Sequence, residues 1–396
     1  MVANIVGRAV QGEDFFDRVE ELQKLKEEGL RQHLLLLAPR RVGKTSLLHR
    51  LATVTREAAG WSAAYCSVED AADEVGFLRS LTEALEAIPA AKPSVKKLRK
   101  GRLDKILQGI DRVKLGPLEV ARSHANDDPL DDALRQMRAA LKDLPGHWYL
   151  LLDELPLFVL RLLQLDADGA RARRFLQWFR RVRQNEVDSV MTLHWVLAGS
   201  IGLDTVAERY ALTDTINDLQ IVRLGPFTEP TAHAFLQALS LHHKVTLSED
   251  VARAICARVG WLIPHHLQAL FSELRAIHRE AGCTLTLDDV GTAFSRLLDQ
   301  SLHFDFWQQR LDKELGAQRA RRARDLLGYC AQDPNGATTT TLELLLGKEL
   351  QDTADRAREL RWLLKVLKSD GYLREEGERW VFRSHLLREY WMRKYA

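Results

Sequence analysis

Cysteine is scarce in this chain of 396 residues. Its four copies, Cys66, Cys256, Cys283 and Cys330, form no CxxC pair and show no metal-binding spacing. That scarcity excludes a disulfide-stapled scaffold and a cysteine zinc site, and it suits buried thiols in a reducing compartment. Long apolar runs are missing too. None approaches the ~18 residues that a membrane span requires, and the first residues lack a signal-peptide core, so a soluble, cytoplasmic protein with no membrane partner is expected. Charge of one sign is also lacking. A net charge of +2 is too small for a global field that would recruit nucleic acid. The excess is local: residues 317–396 carry 16 Lys and Arg against 12 Asp and Glu. The length leaves room for two or three domains.

What is present is concentrated in residues 34–46. Leu34, Leu35, Leu36 and Leu37 make a short apolar strand of the kind a parallel sheet buries on both faces. Ala38, Pro39, Arg40, Arg41, Val42 and Gly43 then form a loop that delivers Lys44, Thr45 and Ser46 to the start of a helix, with Leu47, Leu48 and Leu51 as its apolar stripe. The inward-facing backbone N–H groups of such a loop can be satisfied by a polyphosphate, helped by the positive end of the helix dipole. Lys44 is placed to reach the β- and γ-phosphates, and the Thr45 hydroxyl to ligate Mg²⁺. Alanine at position 38 departs from the glycine usual there, adding one methyl group to the loop's freest position.

Further along, Asp17 with Glu20 three residues later suggests an N-cap for a charged helix that ends near Gly29. A strand over 63–68 and a helix carrying Phe77, Leu78, Leu81 and Leu85 follow. Residues 89–129 break the pattern. They are basic early (Lys92, Lys96, Lys97, Arg99, Lys100, Arg102) and turn-rich late, and they read as an excursion whose Val113, Leu115, Leu118 and Val120 could form a hairpin. The basic run reads as a solvated face, with nucleic-acid contact as the alternative. A second buried strand runs from His147 to Leu152, a helix from Ala170 to Gln184, a third strand from Leu193 to Ala198, and a last one near Ile221 to Leu224. Strands and helices alternating at this spacing predict a parallel, three-layer α/β sheet. The expected division is 1–228 for the α/β domain, 229–300 for an all-helical lid and 301–396 for a winged-helix domain.

Asp153 and Glu154 stand at the carboxyl end of the His147 strand, where open α/β sheets place their ligand crevice. Asp153 would hold Mg²⁺ through water, and Glu154 would orient or deprotonate the water that attacks the γ-phosphate. Ser200, closing the third strand, could bond the attacking water or sense the γ-phosphate. An arginine would also assist. Arg173, Arg174, Arg180 and Arg181 share one broad helix face and could be presented to a neighbouring subunit, while Arg209 is an alternative within the same chain.

These residues resemble the archaeal-type ATPases of the STAND group, relatives of AAA+ proteins. The likeness runs through Phe15, Phe16, Asp17, Arg18, Glu21 and Leu22, then Pro39 to Leu47, Leu150 to Glu154, Ala198 to Ser200, Ile216 to Leu219, Gly225 to Phe227, and Gly260 with Pro264. It implies a P-loop NTPase domain, a helical lid and a winged helix, with ATP and Mg²⁺ as ligands. It also implies that Gly7, Arg8 and Arg18 lie near the adenine and that Pro264 closes over it. AAA+ replication initiators carry an arginine in this lid helix, whereas here His265 and His266 follow Pro264, which favours a switch ATPase over an initiator.

In the last domain Ala357, Leu360, Leu364 and Leu367 form an apolar stripe, and Arg358, Arg361, Lys365 and Lys368 repeat its spacing about 100° away. Tyr372 to Arg374 should pair with Trp380 to Phe382 as a wing. Such a helix could read duplex DNA in the major groove, or its face could dock on the α/β domain or on an effector protein. The leading expectation is a nucleotide-gated ATPase that forms homo-oligomers on ATP. The alternatives are a DNA-binding regulator or initiator-like loader, and an effector-recruiting scaffold, with ATP mainly structural.

Overall fold

A computed structural model describes residues 2–100, 129–166, 168–184, 191–199, 202–282, 284–300 and 302–395. The hairpin expected around 113–120, Ser200 and Cys283 lie outside the described residues. The strands β1 (His33–Leu37), β2 (Trp61–Ser67), β3 (His147–Asp153), β4 (Leu193–Gly199) and β5 (Leu219–Arg223) form one parallel sheet in the order β2-β3-β4-β1-β5. The leucine run of β1 is buried on both faces because its side chains alternate. Leu34 and Leu36 enter one core, and Leu35 and Leu37 the other.

Helices α1 (Val19–Gly29) and α2 (Lys44–Arg56) cover the first face. On the second lie α3 (Glu74–Glu86), α4 (Lys92–Lys100), α5 (Pro129–Lys142), α6 (Leu155–Leu165), α7 (Ala170–Arg183) and α8 (Leu203–Arg209). Among the described residues of the early basic run, Lys92, Lys96, Lys97 and Arg99 are exposed while Val95 and Leu98 of α4 are buried; Lys97 pairs with Asp143 at 2.7 Å and Arg99 with Glu86 at 2.6 Å. Helices α4, α5, α6 and α8 escaped the sequence reading. In α5, Ala133, Leu134, Met137 and Leu141 supply a buried stripe beside α4; α6 is buried along most of its length, from Leu155 to Leu162, with only Arg161 partly exposed in that span.

The lid consists of α9 (Glu229–His243), α10 (Glu249–Val259), α11 (Pro264–Ala281) and α12 (Leu287–Asp299). Thr228, Ser248 and Thr286 cap α9, α10 and α12, the last in a full capping box with Asp289. The remainder is α13 (Leu302–Gln332, broken at Gly316), β6 (Ala337–Thr338), α14 (Thr339–Leu346), α15 (Thr353–Asp370), β7 (Leu373–Glu376), β8 (Arg379–Phe382) and α16 (His385–Tyr395). The short strands pair antiparallel in the order β6-β8-β7; the expected hairpin forms, but Leu373 rather than Tyr372 faces Phe382. One hydrophobic core runs unbroken from the α2 face of the sheet through the lid and into this C-terminal module. Among the described residues no helix is long and apolar enough to cross a membrane.

Asp17 does not cap α1. Its φ is 57° and that of Arg18 is 66°, and Arg18 occupies the cap position without a side-chain cap bond. The backbone turns there so that the Arg18 guanidinium reaches inward.

The core also holds neutral histidines. His266 is 1% exposed, its Nδ1 is 3.2 Å from Ser384 Oγ, and burial pulls its pKa down to about 3. Burial likewise lowers His194 to about 4, although its Nδ1–H donates to Gly29 O at 2.8 Å. Below pH about 6.5 the unfolded chain binds protons at these rings that the folded chain refuses, so stability rises with pH in that range. Acidification from 6.5 toward 4 is expected to cost up to about 1.4 kcal/mol per pH unit for each ring. Urea midpoints measured across that range should fall, and His266→Gln should flatten the slope.

Candidate active site

The turn after β1 places its backbone around a crevice at the carboxyl edge of the sheet. Gly43 (φ 96°) sits at the cap of α2 in a left-handed conformation that suits glycine, and Arg41 (φ 66°) shares that region. The first N–H groups of α2 have no partner within the helix. The Ala38 methyl is buried in the core beneath the loop, which accommodates the departure from glycine. A cavity of about 350 Å³ opens above the loop. It is bounded by the N-terminal segment, the loop, Glu154 and the lid.

Lys44, only 7% exposed, places Nζ 2.7 Å from Glu154 Oε1 and 3.0 Å from Asp153 Oδ1. The Thr45 hydroxyl donates to Asp153 Oδ2 at 2.7 Å, and the Tyr65 hydroxyl donates to the same oxygen at 3.1 Å. Burial alone would raise the Asp153 carboxyl, but Lys44 and these hydroxyls hold it below the usual carboxylate range. Burial opposes the charge on Lys44 too, yet the two carboxylates raise its pKa above the ordinary value. Glu154 itself adopts φ 61° at the head of α6. A left-handed non-glycine residue at a ligand crevice is a strained position of the sort functional sites retain. Strand β4 lies between β1 and β3, so loop and carboxylates meet across an intervening strand rather than on adjacent ones.

Every expected nucleotide contact borders the cavity: Arg8, Arg18, Pro39, Arg40, Arg41, Val42, Gly43, Lys44, Thr45, Ser46 and Pro264. Several have further tasks. Arg18 bonds Glu21 at 2.6 Å, Val42 O at 3.1 Å and Gly225 O at 2.8 Å, and lies over the Phe227 ring at 4.6 Å. It pins the loop to the lid entrance. Ser46 Oγ accepts the Val10 N–H at 3.0 Å, and Arg41 donates to Gly7 O at 2.5 Å, so the N-terminal segment is tied to the loop. Asn4 ties the same segment to α11 through Gln268 O and Ser272 Oγ.

Sequence reasoning missed Tyr65 and its tilted ring contact with His49 at 4.2 Å, as well as Gln268 in the cavity wall. Tyr65 faces the neighbouring strand's Asp153, which strand pairing decides and local pattern does not. The arginines of α7 are engaged within the chain: Arg173 with Ala211 O and Asp214, Arg174 with Asp131 at 2.7 Å, and Arg180 with Asp214 O at 2.5 Å. Arg181 is exposed. Arg209 does not face the cavity. It pairs with Glu359 at 3.1 Å and lies 4.1 Å over Trp362 of α15.

The basic stripe of α15 is correspondingly not an uncommitted surface. Lys365 pairs with Glu208 of α8, Lys368 with Glu375 at 2.7 Å and Arg358 with Asp355 at 3.2 Å. Arg361 is exposed and has no acidic partner among the described residues. The end of α15 also touches the phosphate loop. A Cβ built on Gly371 (φ 92°) would lie 3.0 Å from Pro39 Cβ and 2.4 Å from Trp261 Cη2, so that position requires glycine.

A hydroxyl and an ionised carboxylate 2.7 Å apart are hard oxygen donors that fit Mg²⁺, and the lysine beside them fits a polyphosphate. This sheet order, loop and helical lid match the AAA+ P-loop fold. The chain is similar to the Walker-type ATPase PABY2304 of Pyrococcus abyssi, with TM-score 0.62 and 20% identity, over 98% of this chain and 99% of that one. It is also similar to the Aeropyrum pernix ORC2 protein in its ADPNP–ADP complexes, with TM-score 0.56 and 14% identity, over 96% of this chain and 95% of that one. No protein-family model and no curated protein matches the sequence.

Proposed function

We propose that this chain is an ATP-binding switch of the STAND type that hydrolyses ATP slowly and passes its nucleotide state to a C-terminal winged helix. The observation that supports it best is the buried Lys44 ammonium between Asp153 and Glu154, with Thr45 on the same Asp153 carboxylate. The ADPNP and ADP named for the Aeropyrum pernix protein agree with an adenine nucleotide. Lys44 would turn its N–H donors from the carboxylates to the β- and γ-phosphates, and Glu154, relieved of its lysine, would take the proton of the attacking water. Thr45 and Asp153 would hold Mg²⁺, which when bound neutralises phosphate charge and orients the γ-phosphoryl group. Ser200, next in sequence after Gly199, keeps its proposed role as γ-phosphate contact, and Arg8 and Pro264 theirs at the adenine.

Coupling to the C-terminal module follows from contact. Gly371 packs on the loop's Pro39, while Arg209 and Glu208 of α8 engage Glu359, Trp362 and Lys365 of α15. Any shift of the loop or of α8 must therefore disturb α15. The particle mass and radius of the full chain in Mg-ATP and in Mg-ADP test this. The two states should differ, by expansion or by assembly of a homo-oligomer; identical values would remove the switch. The exposed Arg361 favours a second reading, that α15 reaches duplex DNA once freed from α8. In that case Mg-ATP should promote a duplex shift at low salt that Arg361→Glu abolishes, with affinity falling steeply as salt rises.

A further inference from the structure

The lid side of the cavity contains two polar side chains that the hydrolytic chemistry does not use, His265 and Gln268. Gln268 lies four residues after Pro264 and three after His265 on α11, so the three share a helix face. All three line the cavity. Gln268 is 7% exposed, and among the described residues its side-chain amide has no hydrogen-bond partner, while its backbone carbonyl accepts from Asn4 Nδ2 at 3.2 Å. The amide is thus left for a ligand in the cavity to satisfy. Aromatic rings line the same cavity. Phe16 packs against Phe227 at 6.2 Å and Phe235 at 5.2 Å, and both Phe15 and Pro264 face the same space.

We propose that the Gln268 carboxamide reads the edge of the nucleotide base and selects adenine. The inference rests on the ATP-binding reading above and adds the specificity determinant. A carboxamide offers a donor and an acceptor side by side. Adenine answers both with its 6-amino hydrogen and N7. Guanine presents two acceptors, O6 and N7, at that edge and leaves the amide oxygen unmet.

The test compares equilibrium binding of ATP, GTP and purine riboside triphosphate, which lacks the 6-amino group, by the full chain. The parent should prefer ATP to both competitors by roughly tenfold to a hundredfold. In Gln268→Leu, and separately in the near-isosteric Gln268→Met, neither of which can accept from the 6-amino group, the preference for ATP over the purine analogue should collapse to within about threefold. A parent without preference, or variants that keep the parent's ratio, would overturn the assignment while leaving nucleotide binding intact. A parent that binds none of the three would overturn the ATP-binding reading and this inference together.

Discussion

Glu154→Gln is expected to bind Mg-ATP within a few-fold of the parent and to lose roughly a hundredfold or more in turnover, the usual contribution of a positioned general base. The amide cannot take a proton, but it preserves the shape of the side chain that meets Lys44 at 2.7 Å. Lys44→Ala should behave differently, losing measurable binding as well as turnover, because the ammonium is the only cation in contact with both Asp153 and Glu154 among the described residues. Its removal also leaves two carboxylates facing each other in a buried crevice. Asp153 should then titrate at higher pH than in the parent, since Lys44 is the leading influence that lowers it. Phosphate release under steady state, alongside fluorescent-nucleotide titration, separates the two variants. Parent-like hydrolysis by Glu154→Gln would show that the chemistry lies elsewhere.

The second large effect is on stability. Arg310 of α13 and Asp370 of α15 form an ion pair with side chains 2% and 1% exposed and contacts of 3.1 and 3.3 Å. Burial dominates at Asp370 and raises its carboxyl pKa in spite of Arg310, and the Glu154 charge raises it further. Arg310→Met, which strands that carboxylate, should cost about 3–5 kcal/mol at neutral pH. Because a protonated Asp370 needs no cation, the deficit relative to the parent should shrink as pH falls. The double variant Arg310→Met with Asp370→Leu should recover most of the loss, as buried pairs replaced by packed apolar groups often do. Urea unfolding of all three forms at two pH values would show it. A single variant as stable as the parent would mean that the pair contributes nothing to holding α15 against α13.

Both effects depend on sites that the sequence revealed unevenly. The phosphate loop was legible because its signal is local: a doubly buried strand, an inward loop and a helix start lie within thirteen residues, 34–46. Asp153 and Glu154 were legible for the same reason, at the end of a single apolar strand. The C-terminal hairpin was foreseen, but its register is one residue off the expected pairing of 372–374 with 380–382, because a two-residue turn at Gly377 and Glu378 sets Leu373 opposite Phe382. Strand order was not, since nothing in residues 193–199 announces that β4 lies between β1 and β3. Asp17 had the pattern of a helix cap, but tertiary bonds from Arg18 to Val42 and Gly225 set the backbone instead. Trp362 showed the limit most clearly. It lies on the basic side of α15, where its ring meets the guanidiniums of Arg209 at 4.1 Å and Arg319 at 5.1 Å. A charged stripe drawn from one helix cannot reveal that another helix has already answered part of it.

The decisive measurement is calorimetric titration of the folded, full-length chain with ATP, in the presence of magnesium and again after chelation. Saturable binding at one site, weakened at least about tenfold by chelation and lost in Lys44→Ala, is the outcome expected if Lys44, Thr45 and Asp153 hold the phosphates and their cation. Absence of saturable binding to ATP or ADP at millimolar concentration, by a chain whose circular dichroism shows it folded, would contradict that arrangement.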